Sequence, residues 1–347
     1  MLEIIVVGRA DNHTGDFGGR LIYASQFNAR ALAEADVDFQ FTFVEWNSPH
    51  DKLGTLAHRY INEVPNSKAY VVGPEWHSMV CDNPKMVIME FFAKNVALRR
   101  STAKVALCTN ADILFGPDTV ELLAGWQGCQ PRTLYRTVHR TDIKSDRVYE
   151  RAEELTSPDI VVKNWKSVPP AYTQGAGDFQ MALVSYWKAL LGYDETIRWA
   201  KIHKDHRLCS QVIKLKGKIV ATGSCYHLWH KSSYVNHKRL PQDPPWGPEY
   251  NPELWMPYTN DRRRWGLGHV QTTKVMGFDM LVPAPKMREI PPLPKHPTPV
   301  GVSKAVTPRK RIQPPTPQRA LKPSPKRQRT QPPPIARTLR PGPSRPS

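Results

Sequence analysis

Long apolar runs are missing from these 347 residues. None approaches the roughly 18–20 consecutive apolar residues that a helical membrane span needs. The opening Met1-Leu2-Glu3-Ile4 has neither the basic region nor the extended apolar region of a secretory signal. The expected location is therefore the cytoplasm, the host's cytoplasm if the source is a virus. Cysteine is scarce and its pattern is uninformative for metals. Cys81, Cys108, Cys129, Cys209 and Cys225 form no CxxC pair and are odd in number, which argues against a zinc ribbon and a disulfide framework. Cys108 lies in an apolar run and reads as a buried free thiol, in keeping with a reducing compartment.

Aromatic residues are absent from Lys286 to Ser347, and acids nearly so. That stretch holds fifteen Lys and Arg against Glu289 alone, so it carries +14 of the chain's formal +18. The remaining +4 leaves residues 1–285 only mildly basic, which removes the simplest case for a nucleic-acid-binding fold. A proline-rich, basic stretch without aromatics cannot bury enough apolar surface to offset its ordering entropy. It reads as a disordered, partly polyproline-II extension, and the tail is set at 281–347. Its clusters Arg309-Lys310-Arg311 and Lys326-Arg327-Gln328-Arg329 suit phosphate backbones or acidic partners. Its proline stretches suit SH3-like partners.

What is present before the tail is an alternation of short apolar strands and helical segments, the pattern of an α/β fold with a mostly parallel sheet. Ile4–Val7 is a β-branched run ending at Gly8, followed by a glycine-rich loop over 8–19 and a helix over 21–35. Phe39–Val44 and Ala69–Val72 are further strands. Asn83-Pro84 has the form of a helix start, with helix expected to Arg100. Lys104–Cys108 is a strand leading into Asn110-Ala111-Asp112. Residues 127–173 read as irregular. A helix is expected over 179–191, with Phe179, Leu183 and Trp187 on one face, then a helix over 205–215 and a strand over 218–221. Residues 241–265, rich in Pro, Trp and Tyr, read as a covering loop. In such sheets ligands bind beyond the carboxyl ends of the strands, so the polar segments at 8–19, 45–48, 73–78 and 109–112 share one edge.

Asp112 is the centre of the chemical reading. A carboxylate just past a buried strand suits a hard divalent cation, Mn²⁺ or Mg²⁺, bridging to substrate phosphates. Spacing alone fits a plain turn equally well. The stretch Lys94-Asn95-Val96-Ala97-Leu98-Arg99-Arg100, followed by Thr109-Asn110-Ala111-Asp112, resembles GT-A glycosyltransferases of the large family-two-like group. There an Asn-x-Gly-x-x-x-Ala helix precedes a strand ending in an Asp-x-Asp motif. Here Ala97 replaces the usual Gly, and Asn110 replaces the first Asp. Gly175-Ala176-Gly177-Asp178-Phe179, with Gly192-Tyr193-Asp194-Glu195 further on, resembles the acceptor segment of galactosyltransferase-like members. Val44-Glu45-Trp46-Asn47 is similar to a stretch of bacterial and viral GT-A proteins whose Glu sits in the base and ribose pocket.

The resemblance spans about residues 3–235 and rests on the order of these segments. It implies a GT-A single domain over 1–280, with a nucleotide-sugar half (1–115), an acceptor half (116–240) and covering loops (241–280). It implies transfer of a sugar from a nucleoside-diphosphate sugar, a UDP-sugar, to a hydroxyl on a glycan, protein or lipid. Arg9, Asp11, Asn12, Glu45, Asn95 and Asn110 are carried over to the nucleotide-sugar pocket. Gly177, Asp178 and Asp205 go to the acceptor side. Asp112 with His227 or His230 would hold Mn²⁺ or Mg²⁺. Asp178 is expected to deprotonate the acceptor, which implies inversion. From the residues alone Asp178 fits a helix N-cap, and Asp194 and Glu195 fit a solvated turn. Two other readings stay open: a nucleotidyltransferase on a similar sheet, and a nucleic-acid-binding or scaffold protein acting through the tail.

Overall fold

The first strand, β1 (Leu2–Gly8), is buried along its whole length. A strand apolar on both faces belongs in the middle of a parallel sheet, and β1 sits there in the computed structural model of the chain. The structure describes residues 1–11, 15–137, 139–166, 176–199, 204–230 and 258–281. All of them fall within one compact unit, Met1–Glu289. Asn12 and the tail expected over 281–347 lie outside the described residues, apart from Leu281.

The chain continues through α1 (Phe17–Glu34), β2 (Phe39–Trp46), α2 (Thr55–Glu63), β3 (Ser67–Val72), α3 (Pro74–Val80), α4 (Glu90–Arg100) and β4 (Val105–Thr109). It then forms β5 (Ile113–Phe115), α5 (Pro117–Ala124), β6 (Thr133–Arg136), β7 (His139–Ile143) and β8 (Val161–Lys166). The remainder is β9 (Phe179–Leu183), α6 (Val184–Leu190), α7 (Lys204–Lys214), β10 (Lys218–Ala221), β11 (Ser224–Leu228), β12 (Thr272–Val275) and β13 (Phe278–Leu281). Nine strands form one mixed, mostly parallel sheet in the order β10-β6-β9-β4-β1-β2-β3-β13-β12. Helices cover both faces. One core runs from Ile5 and Trp46 to α4, α6 and α7. The other runs from Ile4 and Phe43 to α1 and α2. A second sheet, β5-β11-β7-β8, stands beside the first. No described helix is long and apolar enough to cross a membrane.

Several expectations from the sequence are corrected. The glycine loop is shorter than 8–19, because α1 already begins at Phe17, with the Asp16 carboxylate accepting the Gly19 N–H at 3.1 Å. Glu45 and Trp46 lie in β2 rather than after it. Asn83-Pro84 opens a turn: Asn83 Oδ1 accepts the Lys85 N–H at 3.0 Å, and helix begins only at Glu90. Residues 74–80 are helical. The section read as irregular, 127–173, contains β6, β7 and β8.

The expected helix over 179–191 is a strand for its first five residues. Phe179–Leu183 pairs antiparallel with β4 and β6, which buries Phe179 and Met181 inside the sheet. The halves divided at 115 therefore share one sheet. Residues 272–281, placed among covering loops and at the start of the tail, form a hairpin whose β13 adds parallel to β3.

Candidate active site

β4 belongs to the large sheet and β5 to the small one, and Asn110-Ala111-Asp112 is the link between them. It leaves the carboxyl end of β4 where the chain order reverses: β2 flanks β1 on one side and β4 on the other. Such a switch point is where open α/β sheets bind ligands. Asp11 follows β1 and Glu45 ends β2, both parallel to β4, so the three share this edge of the sheet.

The small sheet then fixes what faces Asp112. In β11, His227 is register partner to Ile113 of β5 and to Asp142 of β7. Asn28 of α1 holds β5 in place, donating to the Ile113 carbonyl and accepting from the Phe115 N–H, both at 2.8 Å. His230, two residues past β11, comes to the same carboxylate. The Asp112 Oδ2 atom is 3.4 Å from His227 Nε2 and 3.1 Å from His230 Nε2. One ligating atom from each of the three lies within 4.8 Å of the others. Asp112 and His227 are 8% and 7% exposed, so the cluster is largely shielded from water. Burial opposes charge on Asp112, but both histidines outweigh it and hold the carboxyl well below its ordinary range. Burial likewise opposes charge on His227, and Asp112 and Asp142 overcome it, lifting the imidazole to about 9. One carboxylate oxygen with two imidazole nitrogens fits a first-row divalent cation such as Mn²⁺ better than Mg²⁺, which favours oxygen. The donor set therefore suits the expected metal, and it contains both histidines.

Asp178 lies beside this cluster in a setting different from the one expected. It is 2% exposed and precedes a strand. Its carboxylate accepts from Arg140 Nη1 at 3.0 and 3.2 Å and from Asn110 Nδ2 at 2.7 Å. Its carbonyl accepts from Thr109 Oγ1 at 2.6 Å. The N-cap explanation falls away, because Asp178 closes a short 3-10 turn, Ala176–Asp178, and leads into β9 rather than into a helix. Asn110 also accepts from Lys94 Nζ at 3.2 Å, so both ends of its amide are engaged inside the protein. An amide can accept from the lysine and donate to the carboxylate at once, which an ionised Asp at this position could not do. Gly177 and Asp205 are adjacent, since a Cβ on Gly177 would sit 3.1 Å from Asp205 Oδ2.

The other sequence-derived residues are placed as follows. Arg9 donates to the Asn47 carbonyl at 2.6 Å and pairs with Asp11. Asp11 lines a cleft of about 320 Å³ with Gly18, Lys52, Leu56 and Arg59. Glu45 is fully buried and caps α2, accepting from Gly54 N at 2.8 Å and Ala57 N at 2.7 Å. Burial raises its pKa against those bonds. With both oxygens taken, Glu45 is a buried helix cap rather than a free acceptor. Trp46 is buried and donates to His77 Nδ1 at 2.9 Å.

Asn95 is the clearest correction. It is fully buried and brackets the turn after α6, accepting from Tyr193 N at 2.7 Å and donating to Tyr193 O at 2.8 Å and Glu195 Oε1 at 2.9 Å. Asp194 and Glu195 are not in a solvated turn either. Asp194 pairs with Arg207 at 2.6 Å, and burial pushes Glu195 up to about 7.

Sequence reasoning missed Lys94, Arg140 and Asp142 as site residues. Lys94 is fully buried, with its ammonium 2.6 Å from Glu90. Arg140 and Asp142 alternate on β7 and so share a face. That spacing was readable, but only within a segment taken for irregular.

Together these features define an α/β protein with a candidate divalent-cation centre at the switch point of its sheet. No family model matches the chain, and no curated protein matches it. Solved structures similar to it include glycosyltransferases. GalNAc-T7 with UDP, GalNAc and Mn²⁺ matches at TM-score 0.43 and 12% identity, covering 66% of this chain and 44% of that one. The catalytic domain of Drosophila β1,4-galactosyltransferase 7 with xylobiose matches at 0.39 and 8%, covering 81% and 92%. The galactosyltransferase LgtC with donor and acceptor sugar analogues matches at 0.36 and 12%, covering 76% and 100%.

Proposed function

We propose that the chain is a metal-assisted glycosyltransferase that moves a sugar from a UDP-sugar to a hydroxyl acceptor. The observation that carries this is the convergence of Asp112, His227 and His230 at the carboxyl edge of the parallel strands. These three residues would hold Mn²⁺, and a cation bound there supplies charge neutralisation for a departing diphosphate. The cleft at Asp11, Lys52 and Arg59 takes the nucleotide, and its basic side chains suit an anionic ligand. Gly177 and Asp205 form the acceptor side, where the glycine lets the Asp205 carboxylate lie close against the backbone. Asp178 takes the proton of the attacking hydroxyl, exchanging its Asn110 bond for that hydroxyl while Arg140 keeps its anion in place. Attack assisted by a base in this way inverts the anomeric carbon.

A nucleotidyltransferase is less well supported. A free helix N-terminus suits phosphate, but at the start of α1 the Asp16 carboxylate already takes the Gly19 N–H. The test is calorimetric binding of UDP with and without Mn²⁺, followed by turnover with UDP-sugars. Asp112→Ala should abolish the Mn²⁺-dependent part of UDP binding. Asp178→Asn should keep that binding and lose turnover by at least about 100-fold. If UDP binds the wild type no better with Mn²⁺, the metal role is wrong.

A further inference from the structure

Arg140 and Asp142 of β7 touch both halves of the site, although neither belongs to the expected metal set. The Asp142 Oδ1 atom lies 3.1 Å from His227 Nδ1 and also accepts from Arg140 Nε at 2.9 Å. The same guanidinium reaches Asp178 through Nη1 at 3.0 Å. An unbroken chain of contacts thus runs from Asp112 through His227, Asp142 and Arg140 to Asp178. Its geometry comes from register. His227 faces Asp142 across a parallel strand pair, and Cys225 faces Arg140 two residues earlier.

From this arrangement we infer that Asp142 and Arg140 are positioning residues that hold the metal-facing ring of His227 and the carboxylate of Asp178 in one rigid frame. The inference rests on the metal reading proposed above. An imidazole has two nitrogens, and the partner of one decides what the other can do. With a cation bound, Nδ1–H would donate to Asp142 and the lone pair of Nε2 would be turned to the cation. Arg140 in turn fixes Asp142. Its planar fork engages two carboxylates through different nitrogens, which a lysine cannot reproduce. Asp142 and Asp178 are both almost fully buried, at 5% and 2% exposure, so neither carboxylate has bulk water as a substitute for the guanidinium.

The experiment is Mn²⁺ titration of the full-length protein, read by calorimetry and by the electron paramagnetic resonance of free Mn²⁺. Thermal melts without metal serve as a check of folding. Asp142→Ala should weaken Mn²⁺ binding roughly 10–100-fold, the usual effect of removing a residue that orients a ligating histidine. Asp142→Asn keeps the shape and one acceptor oxygen, so it should fold like the wild type and show a smaller loss. Arg140→Gln should also weaken Mn²⁺ binding, although Arg140 touches no ligating atom. The double variant Arg140→Gln/Asp142→Asn should bind no worse than the weaker single variant, because both effects pass through the His227 ring.

Mn²⁺ affinities equal to the wild type in Asp142→Asn and Arg140→Gln would overturn the inference while leaving the metal site standing. Fully additive losses would overturn the shared frame. A wild type that binds no Mn²⁺ would overturn both the metal reading and this inference, a result distinct from the other two.

Discussion

Replacing Asn95 by Ala separates a pocket residue from a structural one. The carboxamide makes three hydrogen bonds, to both backbone groups of Tyr193 and to Glu195, and it is fully buried. A typical intramolecular hydrogen bond contributes about 1 kcal/mol net. Alanine removes three and strips the Tyr193 N–H of its acceptor, while Asn260 still donates to the Tyr193 carbonyl at 2.6 Å. The expected loss is about 3 kcal/mol. For a unit of this size, about 2 °C accompanies each kcal/mol, so the melting temperature should fall by about 6 °C. The turn is built around this carboxamide: Gly192 has φ +68°, and a Cβ there would lie 2.1 Å from Asn95 Oδ1. The assay is differential scanning calorimetry, paired with calorimetric UDP binding at a temperature where the variant is folded. An unchanged melting temperature together with weakened UDP binding would refute this reasoning and return Asn95 to the nucleotide pocket.

Two further perturbations follow from the same contacts. Asn110→Asp, which restores the more familiar motif, places a carboxylate 2.7 Å from Asp178 in a buried site. Lys94 and Arg140 offset only part of that repulsion. The variant should lose about 1–3 kcal/mol of stability, measurable by urea denaturation, and a melt matching the wild type would contradict it. Glu195 has a folded pKa raised from 4.5 to about 7 by burial. A raised pKa contributes stability that is complete below pH 4.5 and is lost as pH rises through about 7. Glu195→Gln should therefore flatten the fall in melting temperature between pH 5 and 8, and parallel curves for variant and wild type would rule this out.

The sequence by itself determined the local elements whose periodicity is unambiguous. The buried run at Ile4–Val7, the strand before Asn110, the helix from about residue 205 and the strand at 218–221 follow from apolar spacing and turn residues. It also singled out Asp112, His227 and His230 as candidate metal ligands, by chemistry and by resemblance. Sequence could not tell a helix from a strand at Phe179–Leu183, because a short apolar run satisfies both periods, and only pairing with β4 decides. Nor could it show that Glu45 is a helix cap or that Asn95 is a buried bracket. The partners of each, at Gly54 and Ala57 and at Tyr193, become neighbours only when the chain folds. Above all, the line from His227 through Asp142 and Arg140 to Asp178 joins three segments of the chain dozens of positions apart. Strand register is a property of pairing between strands, and it is register that sets His227 against Asp142 and puts Arg140 on the same strand two residues away.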